Sequence, residues 1–143
     1  MSINAVLKIA GSGLNSQLIR MNAISSNLAN ASVVAGSAEE AYKAKRAVFS
    51  TQVLNPDQTN DIKNQTRNGV YVTDIVDDTR PIKQVFAAGN RLANRDGYIF
   101  GSNVNEIEEM VEMLDASRAY QNNVSVVSTA KDLLYRTIDL MKS

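Results

Sequence analysis

Asp74, Asp77 and Asp78 are the one acidic group whose types and spacing suit acid–base or metal chemistry. On a strand, Asp74 and Asp78 would share a face, because side chains alternate with a period of two. No glycine-containing calcium-loop pattern surrounds them. They read as the solvated end of a strand. Glu106, Glu108, Glu109 and Glu112 form a second acidic run, which suits the start of a helix, where negative charge meets the positive end of the dipole. Gly11 and Gly13 do not open a phosphate loop, since no strand precedes them and no Lys-Ser/Thr pair follows. The chain has neither His nor Cys. That removes the commonest base near neutral pH, thiolate nucleophiles and the usual transition-metal ligands. No enzyme, cofactor or metal site is expected.

The elements that would carry these residues fall into three regions. Lys and Arg together number 15, as do Asp and Glu, so the formal net charge is zero. Nucleic acid is therefore not an expected partner, because phosphate binding needs a surplus of positive charge. No apolar run is long enough to span a bilayer, and the opening residues lack a basic segment followed by an apolar core. Aromatics are 6% of the chain, so a core must be built from aliphatics.

Residues 1–40 carry only Lys8, Arg20, Glu39 and Glu40 as charges. Leu7, Leu14, Met21 and Leu28 recur every seven residues, and Ile3, Ala10 and Ile24 fall on the intervening step, with Gln17 as the break. This spacing predicts a helix with a coiled-coil seam over about 28 residues, roughly 42 Å long. Its other faces are Ser and Asn rather than charged residues, which suggests partners on more than one side. A solitary antiparallel hairpin within one chain would show the same seam.

Residues 103–143 predict a second helix of about 41 residues, roughly 60 Å if continuous. Asn103 with Glu106 reads as a capping box. The apolar stripe is taken as Ile107, Met110, Leu114, Ser117, Val124, Val127, Leu134, Ile138 and Met141, with Tyr120 and Tyr135 beside it. Ser117 and Gln121 interrupt that seam, as residues that set register do. Between the helices, residues 41–102 hold both prolines and most of the glycines. Lys45–Leu54 alternates like a strand. Asn55-Pro-Asp reads as a turn, and Asn68-Gly69 as a hairpin turn between Ile62–Arg67 and Val70–Val76. Pro81–Ala87 and Tyr98–Phe100 suit short strands, Asn94–Gly97 a turn, and Ala31–Glu40 a loop. The expected fold is mainly α: two long terminal helices pair as an antiparallel coiled coil, and a small β insert lies between them.

Ser26-Asn-Leu-Ala-Asn-Ala31 resembles the N-terminal signature of the flagellar axial proteins, the rod and hook group. Glu109-Met-Val-Glu-Met-Leu-Asp-Ala-Ser-Arg-Ala-Tyr-Gln-Asn-Asn-Val124, followed by Ser128-Thr-Ala-Lys131, is similar to the group's C-terminal signature. Tyr42–Phe49, Ala88–Tyr98 and Asn103-Val-Asn105 are similar to segments of its proximal-rod, FlgC-type family. The chain departs from the pattern at Ala88, Arg91 and Ser102, where Pro is expected. The resemblance covers almost the whole chain. It implies a structural subunit of the bacterial flagellar basal-body rod, exported without a cleaved signal peptide and polymerised helically across the periplasm. The terminal helices would enclose the export channel, and the rod would transmit motor torque. Partners would be other rod proteins, the rod base and export gate, and like subunits. The subunit-interface residues implied are Leu7, Leu14, Met21, Ile24, Asn27, Leu28 and Asn30 at the N-terminal end. At the other end they are Met110, Leu114, Ser117, Arg118, Tyr120, Gln121, Val124, Val127, Leu134 and Ile138. An adaptor that pairs with one helical partner is the alternative reading of the same pattern.

Overall fold

The computed structural model describes residues 3–53 and 68–142. The element order is α1 (Ile3–Ala29), β1 (Val34–Ala35), β2 (Lys45–Val53), β3 (Asn68–Asp77), β4 (Lys83–Phe86), β5 (Tyr98–Gly101) and α2 (Glu106–Lys142). The expectation of a small β insert is corrected here. The helices flank a β-rich middle, and the strands of the described residues alone take up about a fifth of the chain's length. Two features hid this. β1 is only two residues long, within the stretch expected to be loop. β3 runs through Asn68-Gly69, which starts a strand rather than turning a hairpin. The strand expected at Ile62–Arg67 and the turn at Asn55-Pro-Asp lie outside the described residues.

The described residues of the middle form two sheets. β2 pairs with β3, and β1, β5 and β4 form a three-stranded sheet in that order. In the second sheet β5 is central and antiparallel to both neighbours, with Val34 opposite Gly101 and Val85 opposite Ile99. Phe86 stands opposite Tyr98, and their rings meet edge to face at 5.3 Å between centroids. Asn94 builds the turn into β5. Its side-chain oxygen accepts from the backbone N–H of Asp96 and of Tyr98, at 3.0 and 2.9 Å. Gly97 completes that turn with φ of 82°, a conformation costly to residues with a Cβ. A Cβ there would also lie 2.8 Å from the Phe86 ring.

The chain folds into two compact units. One comprises residues 1–19, 48–74 and 116–143; the other comprises 20–47 and 75–115. In the first, Gly13 of α1 lies so close to α2 that an added Cβ would sit 2.9 Å from Nδ2 of Asn123. Ile3 and Val6 of α1 border an apolar groove with Val126, Thr129, Ala130 and Leu133 of α2, about 330 Å³ in volume. In the second unit, Arg20 of α1 is ion-paired with Glu112 of α2, and Asn27 bonds to Glu109.

These contacts show which helix faces turn inward. On α1, Ile3, Val6, Ala10, Gly13, Gln17, Arg20, Ile24 and Asn27 recur at alternating steps of three and four, all buried or half-buried. On α2, Glu109, Met113, Ala116, Tyr120, Asn123, Val127, Ala130 and Leu134 do the same. Half of the expected α1 seam therefore lies inward, at Ile3, Ala10, Gln17 and Ile24. The other half shifts by one residue, from Leu7, Leu14, Met21 and Leu28 to Val6, Gly13, Arg20 and Asn27. The inner seam is small and polar, whereas a search for leucines finds the flanking positions.

The capping box also moves. Asn105 is the cap of α2: its Oδ1 accepts from Ile107 N at 3.1 Å, and its carbonyl accepts from Glu109 N at 3.0 Å. Asn103 is instead a buried connector. It accepts from Ala44 N at 2.7 Å and donates to the carbonyls of Asp78 and Arg80 at 3.2 and 2.9 Å.

Candidate assembly interface and the polar clamp beneath it

The densest polar cluster among the described residues lies where the end of α1 meets the start of α2. Asn27 is 0% exposed and satisfies all of its amide at once. Its Nδ2 donates to Lys45 O at 3.0 Å and to Glu109 Oε2 at 2.9 Å. Its Oδ1 accepts from Lys45 N at 2.7 Å and from the Tyr42 hydroxyl at 3.1 Å. The same amide thus reads both the N–H and the C=O of Lys45, as a neighbouring strand would. Ser26 Oγ lies 3.1 Å from the Tyr42 hydroxyl. Asn30 Nδ2 donates to Ser26 O at 2.8 Å and closes the end of α1. The Ser26–Ala31 signature is thereby explained inside the chain, as the seat of β2.

Glu109 is a carboxylate at 0% exposure. Arg46 offsets its charge with Nη2 at 2.9 Å from Oε1, while Asn27 holds Oε2. Arg46 also reaches Asp78 at 3.4 Å. Asp78 accepts from the backbone N–H and from Nε of Arg80, both at 2.9 Å, and Arg80 Nη1 donates to Glu108 at 2.7 Å. A chain of alternating charge therefore runs Glu109, Arg46, Asp78, Arg80, Glu108. The backbone N–H of Arg80 holds the Asp78 carboxyl below its ordinary range, and the Arg80 guanidinium does the same for Glu108. Lys45 is raised by its hydrogen bond to Asp77, at 3.0 Å. Asp77 and Asp78 thus serve as ion-pair partners, and no cluster of three or more potential ligands that could hold a metal exists among the described residues.

Above this clamp, α2 presents a different surface. Ile107 is 70% exposed, Met110 52% and Leu114 58%, with Val111 and Val124 also exposed. Of the residues expected at subunit contacts, Met110, Leu114, Arg118, Gln121, Val124 and Ile138 are exposed. Leu7, Leu14, Met21, Leu28, Asn30, Ser117, Tyr120, Val127 and Leu134 are half-buried, and Ile24 and Asn27 are buried. The exposed face of α1 runs Asn4, Lys8, Gly11, Asn15, Leu18, Asn22, Ser25 and Ala29, with one charge in eight. No helix among the described residues is long and apolar enough to cross a membrane. The clamp residues Glu109, Arg46 and Asn103 were not singled out as a group from sequence. The signal for Glu109 is its heptad spacing to Ala116 and Ala130, small residues that mark a close helix contact.

Comparison with known proteins points to one class. A family model described as flagella basal body rod protein matches residues 7–36. Another, described as flagellar basal body rod FlgEFG protein C-terminal, matches residues 95–140. Both ends of the helix pair are thus those of the flagellar rod proteins. Among full-length relatives, the flagellar basal-body rod protein FlgC of Yersinia enterocolitica is 40% identical over 140 residues, covering 98% of each chain. That of Escherichia coli O6:H1 is 39% identical with the same coverage, and that of Borreliella burgdorferi is 30% identical over 99% of each chain. The chain belongs to the FlgC family of flagellar basal-body rod proteins. This is a family of structural rod components and not of enzymes.

Proposed function

We propose that this chain is a proximal-rod subunit that transmits motor torque and encloses the export channel, and that it assembles through the outer faces of α1 and α2. The observation that carries this reading is the exposed apolar stripe at Ile107, Met110, Val111 and Leu114. Contiguous apolar surface on a soluble chain marks a contact site. The nearly uncharged outer face of α1 supports it, because amides and hydroxyls enter a contact without the desolvation cost of a full charge. The apolar groove beside Ile3 and Val6 offers a further socket for a neighbour's side chain. Repetition of such a contact with unlike faces meeting builds an open helical array rather than a closed oligomer. Partners are rod neighbours and the rod base, and the chain reaches them through the flagellar export gate.

The test is complementation of a non-motile strain that lacks its own FlgC-family protein. The wild-type chain restores swimming, and Leu114→Asp does not, although the purified variant keeps its helicity. A soluble, fully helical small oligomer that ignores rod proteins would favour the adaptor reading instead.

A further inference from the structure

The hydroxyls of Ser12 and Ser16 on α1 are both spent on one residue of β3. The backbone N–H of Val70 donates to Ser12 Oγ at 3.1 Å, and Ser16 Oγ donates to the carbonyl of Val70 at 3.1 Å. Ser12 Oγ is itself oriented by donating to Ile9 O at 2.7 Å, which leaves its lone pairs facing the strand. Ser16 is 0% exposed, and Gly69, next to Val70, is buried. Two side chains one helical turn apart thus present an acceptor and a donor to the two polar groups of a single strand residue. That is what a pairing strand would present. Helices seldom do this, because Ser in a helix usually bonds to its own preceding turn.

We propose that Ser12 and Ser16 form a latch that holds β3 on α1 through the backbone of Val70, so that sheet and helix move as one body. The latch reads backbone only and is indifferent to the side chain at position 70. This deepens the rod reading, since a subunit that carries torque needs its outer strands tied to its axial helix. The latch is also testable without that reading.

The experiment is residue-resolved amide exchange on the full chain. Ser→Ala changes improve helix propensity, so a loss at Val70 in Ser12→Ala/Ser16→Ala is not a loss of α1 itself. The Val70 amide is expected to exchange roughly tenfold faster in that double variant, with α2 amides unchanged. Ser12→Thr keeps a hydroxyl and retains protection relative to Ser12→Ala, and Val70→Ala leaves protection at position 70 as in the wild type. Unchanged exchange in the double Ala variant overturns the latch, as does loss of protection in Val70→Ala equal to that of the serine variants. Swimming in viscous medium supplies the mechanical arm: cells with the double Ala variant lose speed under load at normal subunit export. Full speed with a released Val70 amide overturns the claim that sheet and helix must move together. Failure of the wild-type chain to restore swimming at all sinks the rod reading and leaves the exchange result standing.

Discussion

The two faces of α2 are made of different materials. Its inner face sets Glu109, Ala116, Asn123 and Ala130 among the half-buried Met113, Tyr120, Val127 and Leu134, while its outer face carries Ile107, Met110, Val111 and Leu114. A helix in a free-standing protein turns its apolar stripe to the core and its polar residues to water. Here small, polar and charged residues share the inner contact with half-buried apolar ones, and four large apolar side chains at the start of α2 stand exposed. The inner face specifies which residues of α1 lie opposite; the outer face offers a run of apolar surface. On the assembly reading proposed above, the difference teaches that specificity and affinity reside on separate sides of one helix.

The sharpest way to break this comparison is to truncate one residue on each side. Glu109→Ala leaves Arg46 without its buried partner and Asn27 with an unmet donor, and should cost about 3–5 kcal/mol in urea denaturation of the purified chain. Leu114→Asn, on the exposed face, should stay within about 0.5 kcal/mol of wild type. If the two cost the same, the faces are not divided as described. Next in size is Asn27→Ala. It removes the amide that reads Lys45 and should destabilise by about 1–3 kcal/mol, with faster exchange of the Lys45 amide.

Acid provides a graded test of the same division. Asp78 and Glu108 titrate lower in the folded chain than their ordinary values. Their contribution is thus complete above the ordinary carboxylate range and is lost as pH falls through the depressed folded values. Denaturation midpoints measured from about pH 6 to about pH 3 should fall, and Arg80→Gln should flatten that fall. Outer-face variants such as Leu114→Asn should leave its slope unchanged.

The smallest effect comes from two glycines on α1. Gly11 faces open space, so Gly11→Ala should stabilise by about 0.5–1 kcal/mol through helix propensity. Gly13→Ala gains the same propensity but must displace Asn123 Nδ2, and should give less than Gly11→Ala or reverse sign. Thermal melts of the two variants side by side decide it. Equal gains would mean that α1 and α2 do not approach closely at Gly13.

Both helices, most of β2 and the two short strands near Lys83 and Tyr98 were legible, because periodicity and turn residues are local signals. The inner seam was only half legible. Ile3, Ala10 and Ile24 sit on it, but Gly13, Arg20 and Asn27 carry no hydrophobic signal, whereas Leu7, Leu14 and Met21 beside them do. On α2 the loud stripe at Ile107, Met110 and Leu114 faces outward for the same reason. Ser117 and Gln121, expected to set register from within that stripe, lie half-buried and exposed, whereas polar residues in the seam itself stand at Asn27, Glu109 and Asn123. β3 is legible at Val70–Val76, but its start at Asn68-Gly69 looks like a turn, and β1 is too short to signal within the stretch that reads as loop. Asn103 was read as a cap because Asn and Glu three apart suit one, and only the third dimension shows it bridging Ala44, Asp78 and Arg80.

Ser102 donates to the carbonyl of Ala31 at 2.6 Å, Asn27 holds the N–H and C=O of Lys45, and Asn103 holds the N–H of Ala44 and the carbonyls of Asp78 and Arg80. These bonds grip main chain and ignore side-chain identity at the positions they hold, although Asn27 also bonds the side chains of Glu109 and Tyr42. A docking code written in main-chain atoms is blind to mutation of the strand that it docks. The side chains of β2 and β3 are therefore released from these main-chain grips, Arg46 apart, which must stay to offset Glu109, and a lineage can rewrite the others to suit a new neighbour while the seating stays fixed. The same blindness makes the β region a cassette: another pair of strands can be exchanged into this frame wherever its backbone meets Asn27 and Asn103 and it brings an arginine to Glu109.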